Sequence, residues 1–220
     1  GSDSITTCAV NSDGTFSNCS NSNNSLLGVN LLDPEQIYMH QGYLYISGGS
    51  SPGGVITNSV VCPVNFSQYL SNCQNVSILS GLNTWPGSTH VIDINGNVFI
   101  ATWSGQGVYY CTNNPISSPW LFSSCRLLYP SIGRITQFAV GNNGNSSNNF
   151  YFEGLTTNAV YQVKLLANGR PPATVTSTTA NICPSAYSVP RALAISQSGN
   201  NLYVTCVNSS SNSGIIQICP

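Results

Sequence analysis

Acid–base and ionic chemistry in this chain of 220 residues rests on six carboxylates, two histidines and five basic side chains. A hydrolase needs a nucleophile within reach of a base, two carboxylates flanking a bond, or a metal. Asp33 and Glu35 form the one close acid pair, and Asp33-Pro34 reads equally as a turn opener. His40 and His90 adjoin no serine or cysteine motif, and the chain has no nucleophile elbow, phosphate loop or dinucleotide fingerprint. Asp93, inside an apolar run, is expected to be satisfied by backbone donors. No catalytic residue is assigned. The groups best suited to binding are Glu35, Gln36, His90, Arg134, Thr136 and Arg191, each at or near the start of an apolar run. Arginine would supply a planar donor fork there, and histidine a tunable group. Trp85, Trp103 and Trp120 supply a second handle, together with Tyr109, Tyr110 and Tyr129, because aromatic faces beside amides suit sugar rings.

These groups need elements to position them, and the elements repeat. Apolar strand pairs recur at Gln36–Met39 with Tyr43–Ile46, His90–Ile94 with Asn97–Ala101, Thr136–Val140 with Phe150–Phe152, and Arg191–Ile195 with Leu202–Thr205. Tight turns such as Gln41-Gly42 and Asn95-Gly96 join the first two pairs. A third strand follows each pair, at 59–64, 107–112, 159–165 and 214–219, and a fourth follows in three copies, at 69–73, 120–125 and 173–178. No stretch has a helical period, and a repeat of roughly 50 residues built of short strands is the sequence form of a β-propeller. The expected fold is therefore all-β, a small propeller of four blades with five as the alternative, in one domain over residues 1–220. Closure is expected from the two termini, because the chain begins with the third and fourth strand types missing at its end. Aligning the copies puts Gln36, His90, Thr136 and Arg191 at one level near the channel mouth. The competing expectation is that they only fill a narrow axis.

Composition narrows the partners. Charged residues are 5% of the chain against the usual quarter, and the net charge is −1. Five Lys and Arg cannot make an electrostatic footprint for phosphates, so nucleic acid and anionic membranes are excluded as expected partners. No run approaches the ~18 apolar residues of a membrane helix. Nine cysteines point to an oxidising compartment, hence a secreted, extracellular or periplasmic location. Gly1-Ser2 reads as a cloning remnant. Six Asn-x-Ser sequons, at Asn18, Asn23, Asn65, Asn75, Asn145 and Asn208, would matter only in a eukaryotic secretory route.

The cysteines fit hairpin staples. Cys8 with Cys19, Cys62 with Cys73, and Cys111 with Cys125 are the first choice, since neighbouring strands bring side chains within disulfide reach. Cys183 and Cys206 flank the fourth strand pair and make a further candidate bridge, which leaves Cys219 over. Alternatively Cys219 takes Cys19 and releases Cys8. Zinc is not expected, because no Cys-x2-Cys pair exists. No cofactor is expected either.

The segments Ser188-Val189-Pro190-Arg191-Ala192-Leu193-Ala194-Ile195 and Gly199-Asn200-Asn201-Leu202-Tyr203-Val204-Thr205 resemble the repeats of lactonase-like and NHL-type β-propellers. The unit Cys8-Ala9-Val10-Asn11-Ser12-Asp13-Gly14-Thr15-Phe16-Ser17-Asn18-Cys19 resembles repeats of secreted bacterial, Legionella-like propellers. Those relatives usually have six or seven blades. The expected function is non-catalytic recognition of a glycan or extracellular protein by the channel mouth or by loops such as 48–58, 141–149 and 208–213. The alternatives are a lactonase- or glycosidase-type hydrolase using Glu35, His90 and Arg191, and a structural or oligomerising surface module using Cys219.

Overall fold

The computed structural model describes residues 4–23, 27–29, 34–48, 59–64, 70–78, 87–93, 96–102, 107–114, 118–130, 132–133, 135–140, 149–154, 157–187, 189–196, 201–208, 210–211 and 213–219. Strands carry nearly all of its regular structure. An N-terminal hairpin joins β1 (Ser4–Val10) to β2 (Phe16–Asn23). The first blade orders β3 (Pro34–His40), β4 (Tyr43–Gly48), β5 (Val60–Pro63) and β6 (Gln74–Asn75) side by side. A short β7 (Ser77–Ile78) then lies parallel on the outer strand of the second blade, which runs β8 (Gly87–Ile92), β9 (Asn97–Thr102), β10 (Gly107–Asn114) and β11 (Ser118–Pro130). The third blade is β12 (Ile135–Val140), β13 (Asn149–Gly154), β14 (Ala159–Lys164) and β15 (Ser177–Ala180). After a 3-10 turn at Ser185–Tyr187 the fourth blade has three strands, β16 (Val189–Ile195), β17 (Leu202–Asn208) and β18 (Ser213–Cys219). This is the expected all-β fold of four antiparallel blades, the class of a small four-bladed propeller.

Local chemistry explains the hairpins. Gln41 and Gly42 both have positive φ, 46° and 80°, the geometry of a two-residue turn whose twist matches the strands it joins. In the second blade the turn is built by a side chain instead: Asp93 Oδ1 accepts the Asn97 N–H at 2.8 Å while the Asp93 N–H donates to the Asn97 carbonyl at 2.9 Å. The expected fourth strand at 173–178 lies at Ser177–Ala180. The turn Leu166–Arg170 and the prolines at 171 and 172 occupy the link, and proline has no N–H for a ladder.

Four disulfides are present, Cys8–Cys19, Cys62–Cys73, Cys111–Cys125 and Cys183–Cys206, and Cys219 is free. The residue before the second cysteine is left-handed in the first three, Asn18 at 48°, Asn72 at 55° and Ser124 at 51°. Asn is the side chain that best tolerates that region. Each of these staples therefore uses one short motif, Phe16-Ser17-Asn18-Cys19, Leu70-Ser71-Asn72-Cys73 and Phe122-Ser123-Ser124-Cys125.

Contacts divide the chain into two compact units, 1–85 with 113–123, and 86–112 with 124–220. In the first, Ile5 of the N-terminal hairpin joins Leu27, Ile46, Val60, Cys62, Leu70 and Cys73 in one core, and Ser22 Oγ accepts the Leu70 N–H at 3.1 Å. Among the described residues β1 pairs with β2 alone and β18 with β17 alone. In the second unit an aromatic stack ties blades together: Phe99 lies 3.8 Å from Phe150, with Phe138 and Phe152 edge-on at 6.1 Å. A second cluster, Ala139, Val160 and Ile182 with Leu193, Val204 and the Cys183–Cys206 bridge, joins the third blade to the fourth.

Candidate functional site

The inner strands share a feature that composition did not reveal. Each carries one extra residue at the same place in its ladder, where two residues oppose one: Glu35-Gln36 opposite Ser47, Ser88-Thr89 opposite Ala101, Thr136-Gln137 opposite Glu153, and Arg191-Ala192 opposite Thr205. A β-bulge re-aims side chains and often borders a site. Thr136 and Arg191 are each the first residue of the bulge in their own ladder, as Glu35 is in its own. Gln36 lies one residue further on and His90 two, level with Ile37, Phe138 and Leu193.

His90 shares a core position with Phe138 and Leu193 of its own unit, whereas Ile37 at that level is half exposed. His90 is fully buried, and the loss of solvation lowers its pKa to about 3, so the imidazole is neutral at physiological pH. Arg191 is exposed. Glu35 and Gln36 belong to the first unit, whereas His90, Thr136 and Arg191 belong to the second. The side chains of Glu35, Thr136 and Trp120, and residues Trp85, Trp103 and Arg134 as a whole, lie outside the described ones. The loops at 48–58 and 141–149 lie almost entirely outside them too.

Other polar groups are structural. Asp93 Oδ2 accepts from Asn97 Nδ2 at 2.6 Å, and the same amide donates to the Gly169 carbonyl at 2.7 Å. The Tyr110 hydroxyl completes the cluster by donating to Asn97 Oδ1 at 2.8 Å, and Arg126 lies 5.5 Å from the Tyr110 ring centroid. Tyr129 is buried and donates its hydroxyl to the Pro172 carbonyl at 3.0 Å. Asn97, held by Tyr110, and Tyr129 therefore brace the second blade against the 166–172 link. Among the described residues no three His, Cys, Asp or Glu side chains come together as a metal set.

A cleft of about 210 Å³ that no sequence motif marks lies between the third and fourth blades. Its polar wall is Tyr151, Gln162, Ser177, Thr179 and Asn201, its apolar floor includes Val160, Ile182 and Leu202, and Cys219 lies at its border. Alternation explains the wall, since Tyr151 and Gln162 are cross-strand partners and Gln162 faces Ser177 on the next strand. Ser177 Oγ donates to Gln162 Oε1 at 2.8 Å, and Gln162 Nε2 donates to the Tyr151 hydroxyl at 3.1 Å. This chain fixes the amide orientation and leaves hydroxyl and amide groups for a guest. Among the described residues the wall holds no carboxylate, imidazole or cation, and burial raises the Cys219 pKa, which keeps the thiol protonated. Such a surface offers uncharged hydrogen-bonding groups. Its volume is below the ~300–1,000 Å³ of drug-sized pockets, which suits a single ring.

With this geometry in hand, the fold can be set beside known proteins. No protein-family model and no curated protein matches the sequence. Solved structures do match in fold. A periplasmic gluconolactonase of Pseudomonas aeruginosa superposes with a TM-score of 0.56 at 14% identity, over 94% of this chain and 61% of that one. Two 6-phosphogluconolactonase candidates are similar, one from Bacteroides uniformis (TM-score 0.59, 12% identity, 97% of this chain and 64% of that one) and one from Bacteroides fragilis (0.55, 13%, 97% and 63%). The likeness is to lactonase-type propellers, at identities that establish the fold alone. The chain spans a little over three fifths of the length of these structures.

Proposed function

We propose that the chain is a secreted or periplasmic recognition module that binds a neutral glycan without turning it over. The observation that carries this reading is the cleft wall of Tyr151, Gln162, Ser177, Thr179 and Asn201, whose described side chains are all hydrogen-bonding and uncharged. A sugar presents alternating hydroxyls and an apolar ring face, which matches that wall over its apolar floor. The four disulfides agree with an oxidising compartment. A bacterial source of the Legionella-like kind belongs to the same proposal. Thr136 and Arg191, at their bulges, are proposed as a further contact of this unit, and Glu35, Gln36 and the tryptophans remain proposed contacts elsewhere.

A glycan array with the purified chain tests this reading. Binding is expected, and Gln162→Ala, which breaks the oriented hydrogen-bond chain, should weaken it by about tenfold. Capture of a protein with no signal on glycans would move the reading to protein recognition.

The gluconolactonase fold likeness favours a second reading, hydrolysis of a sugar lactone. Turnover of such a lactone that disappears in Glu35→Ala or His90→Ala, and persists in Gln162→Ala, would replace the first reading with this one.

A further inference from the structure

Cys219 occupies a rung of the ladder that is cross-linked in two sister blades. Leu44 pairs with Cys62, Val98 with Cys111 and Leu202 with Cys219, and each of these second-strand residues stands two before the one opposing Ile37, His90 or Leu193. Cys62 is bonded to Cys73, and Cys111 to Cys125, whereas Cys219 is free. The second cysteine in both cases follows an apolar residue, a serine and a left-handed Asn or Ser.

The neighbouring surface tells the same story. In the first three blades a fourth strand lies outside the third, as β6, β11 and β15, but among the described residues nothing pairs with the outer edge of β18. Ile218 is level with Val61 and Tyr110, by its pairing with Tyr203 where they pair with Tyr45 and Phe99. Val61 is 2% exposed and Tyr110 8%, against 59% for Ile218. Ile216 is exposed as well. An open apolar edge of this kind is a template for an added strand.

We propose that the outer edge of β18 is a docking site for a polypeptide strand of the repeat's own fourth-strand type, an apolar-Ser-(Asn/Ser)-Cys segment, whose cysteine becomes disulfide-bonded to Cys219. The strand takes the outer-edge backbone groups of β18, its cysteine faces Cys219 as Cys73 faces Cys62, and the residue after that cysteine lies opposite Ile218 as Gln74 lies opposite Val61. The bond forms by exchange: the Cys219 thiolate attacks the cysteine sulfur of a disulfide on the incoming strand, a new S–S bond forms, the other thiolate leaves, and the proton from Cys219 passes to solvent. The oxidising equivalent is the strand's own starting disulfide.

The test uses the intact chain and a synthetic peptide with the sequence of residues 70–78, its cysteine activated as a 2-pyridyl disulfide, beside a scrambled peptide activated in the same way. At about pH 8 the native-order peptide should label Cys219 at least about tenfold faster than the scrambled one. Mass spectrometry of the adduct should place the bond at Cys219, and amide hydrogen exchange should slow across 214–218. Ile218→Lys should abolish the rate difference while leaving labelling by a small activated disulfide unchanged. Equal rates for the two peptides, an adduct without slowed exchange, or a Cys219–Cys219 dimer forming in preference to the adduct would each overturn the proposal.

Discussion

Gln137 of the third blade accepts the backbone N–H of Leu193 in the fourth, its Oε1 lying 3.2 Å from that nitrogen. The bond leaves from one bulge and lands on the residue just after the next, so it ties the third blade to the fourth at the level of their bulges. Gln137→Leu would leave a partly buried N–H unpaired. We expect a loss of about 1–2 kcal/mol in denaturant unfolding, with Gln137→Glu, which keeps an acceptor, losing less.

His90 gives the fold an acid weakness. Its pKa is about 3 in the folded chain and 6.5 when solvated, so between those values the unfolded state binds the extra proton. Stability contributed by the neutral imidazole is complete above pH 6.5 and falls by up to about 1.4 kcal/mol per pH unit below it, levelling off near pH 3. His90→Leu, which copies Leu193 at the same level, should flatten the unfolding free energy across that window. Urea midpoints measured from pH 7 to pH 4 on both proteins check this, and parallel curves would refute it.

Asp93 and Asn97 hold the second blade's turn and, through Gly169, the third blade's 166–170 turn. Asn97→Ala removes bonds to Asp93, Gly169 and Tyr110 together. A loss of roughly 2–3 kcal/mol is expected, since a buried carboxylate is left short of a donor. Amide exchange should quicken at Gly169 and Arg170, while Ser196, whose N–H bonds to the Asn201 carbonyl within the fourth blade, should be unaffected.

Non-reducing peptide mapping should find Cys8–Cys19, Cys62–Cys73, Cys111–Cys125 and Cys183–Cys206, with a single alkylated thiol at Cys219. Replacing Cys111 and Cys125 together by serine should cost about 3 kcal/mol, the scale for a loop of this length.

Much of this was legible in the residues because it is local. Spacings of 11 and 14 between cysteines specify hairpin staples, and Gln41-Gly42 specifies its turn, without reference to anything distant. The level of His90 was not legible, because a bulge is defined by the partner strand's register and an alignment by apolar runs alone slides past it. Tyr129 was readable as an aromatic, but the partner of its hydroxyl, the Pro172 carbonyl, lies far along the chain. The cleft was hidden for a similar reason: Tyr151 and Asn201 meet only after two blades pack.

The cross-strand staples also set how the chain responds to force. Cys8 and Cys19 sit with Cα atoms 4.0 Å apart, and Cys62 and Cys73 4.1 Å apart, though each pair spans eleven residue steps. Fully drawn out, eleven residues reach roughly 36–40 Å, so each staple withholds about that much length from a chain pulled by its ends. Stretched in an oxidising medium the protein should stop short by these fixed amounts, and adding a reductant should release them one at a time as countable steps.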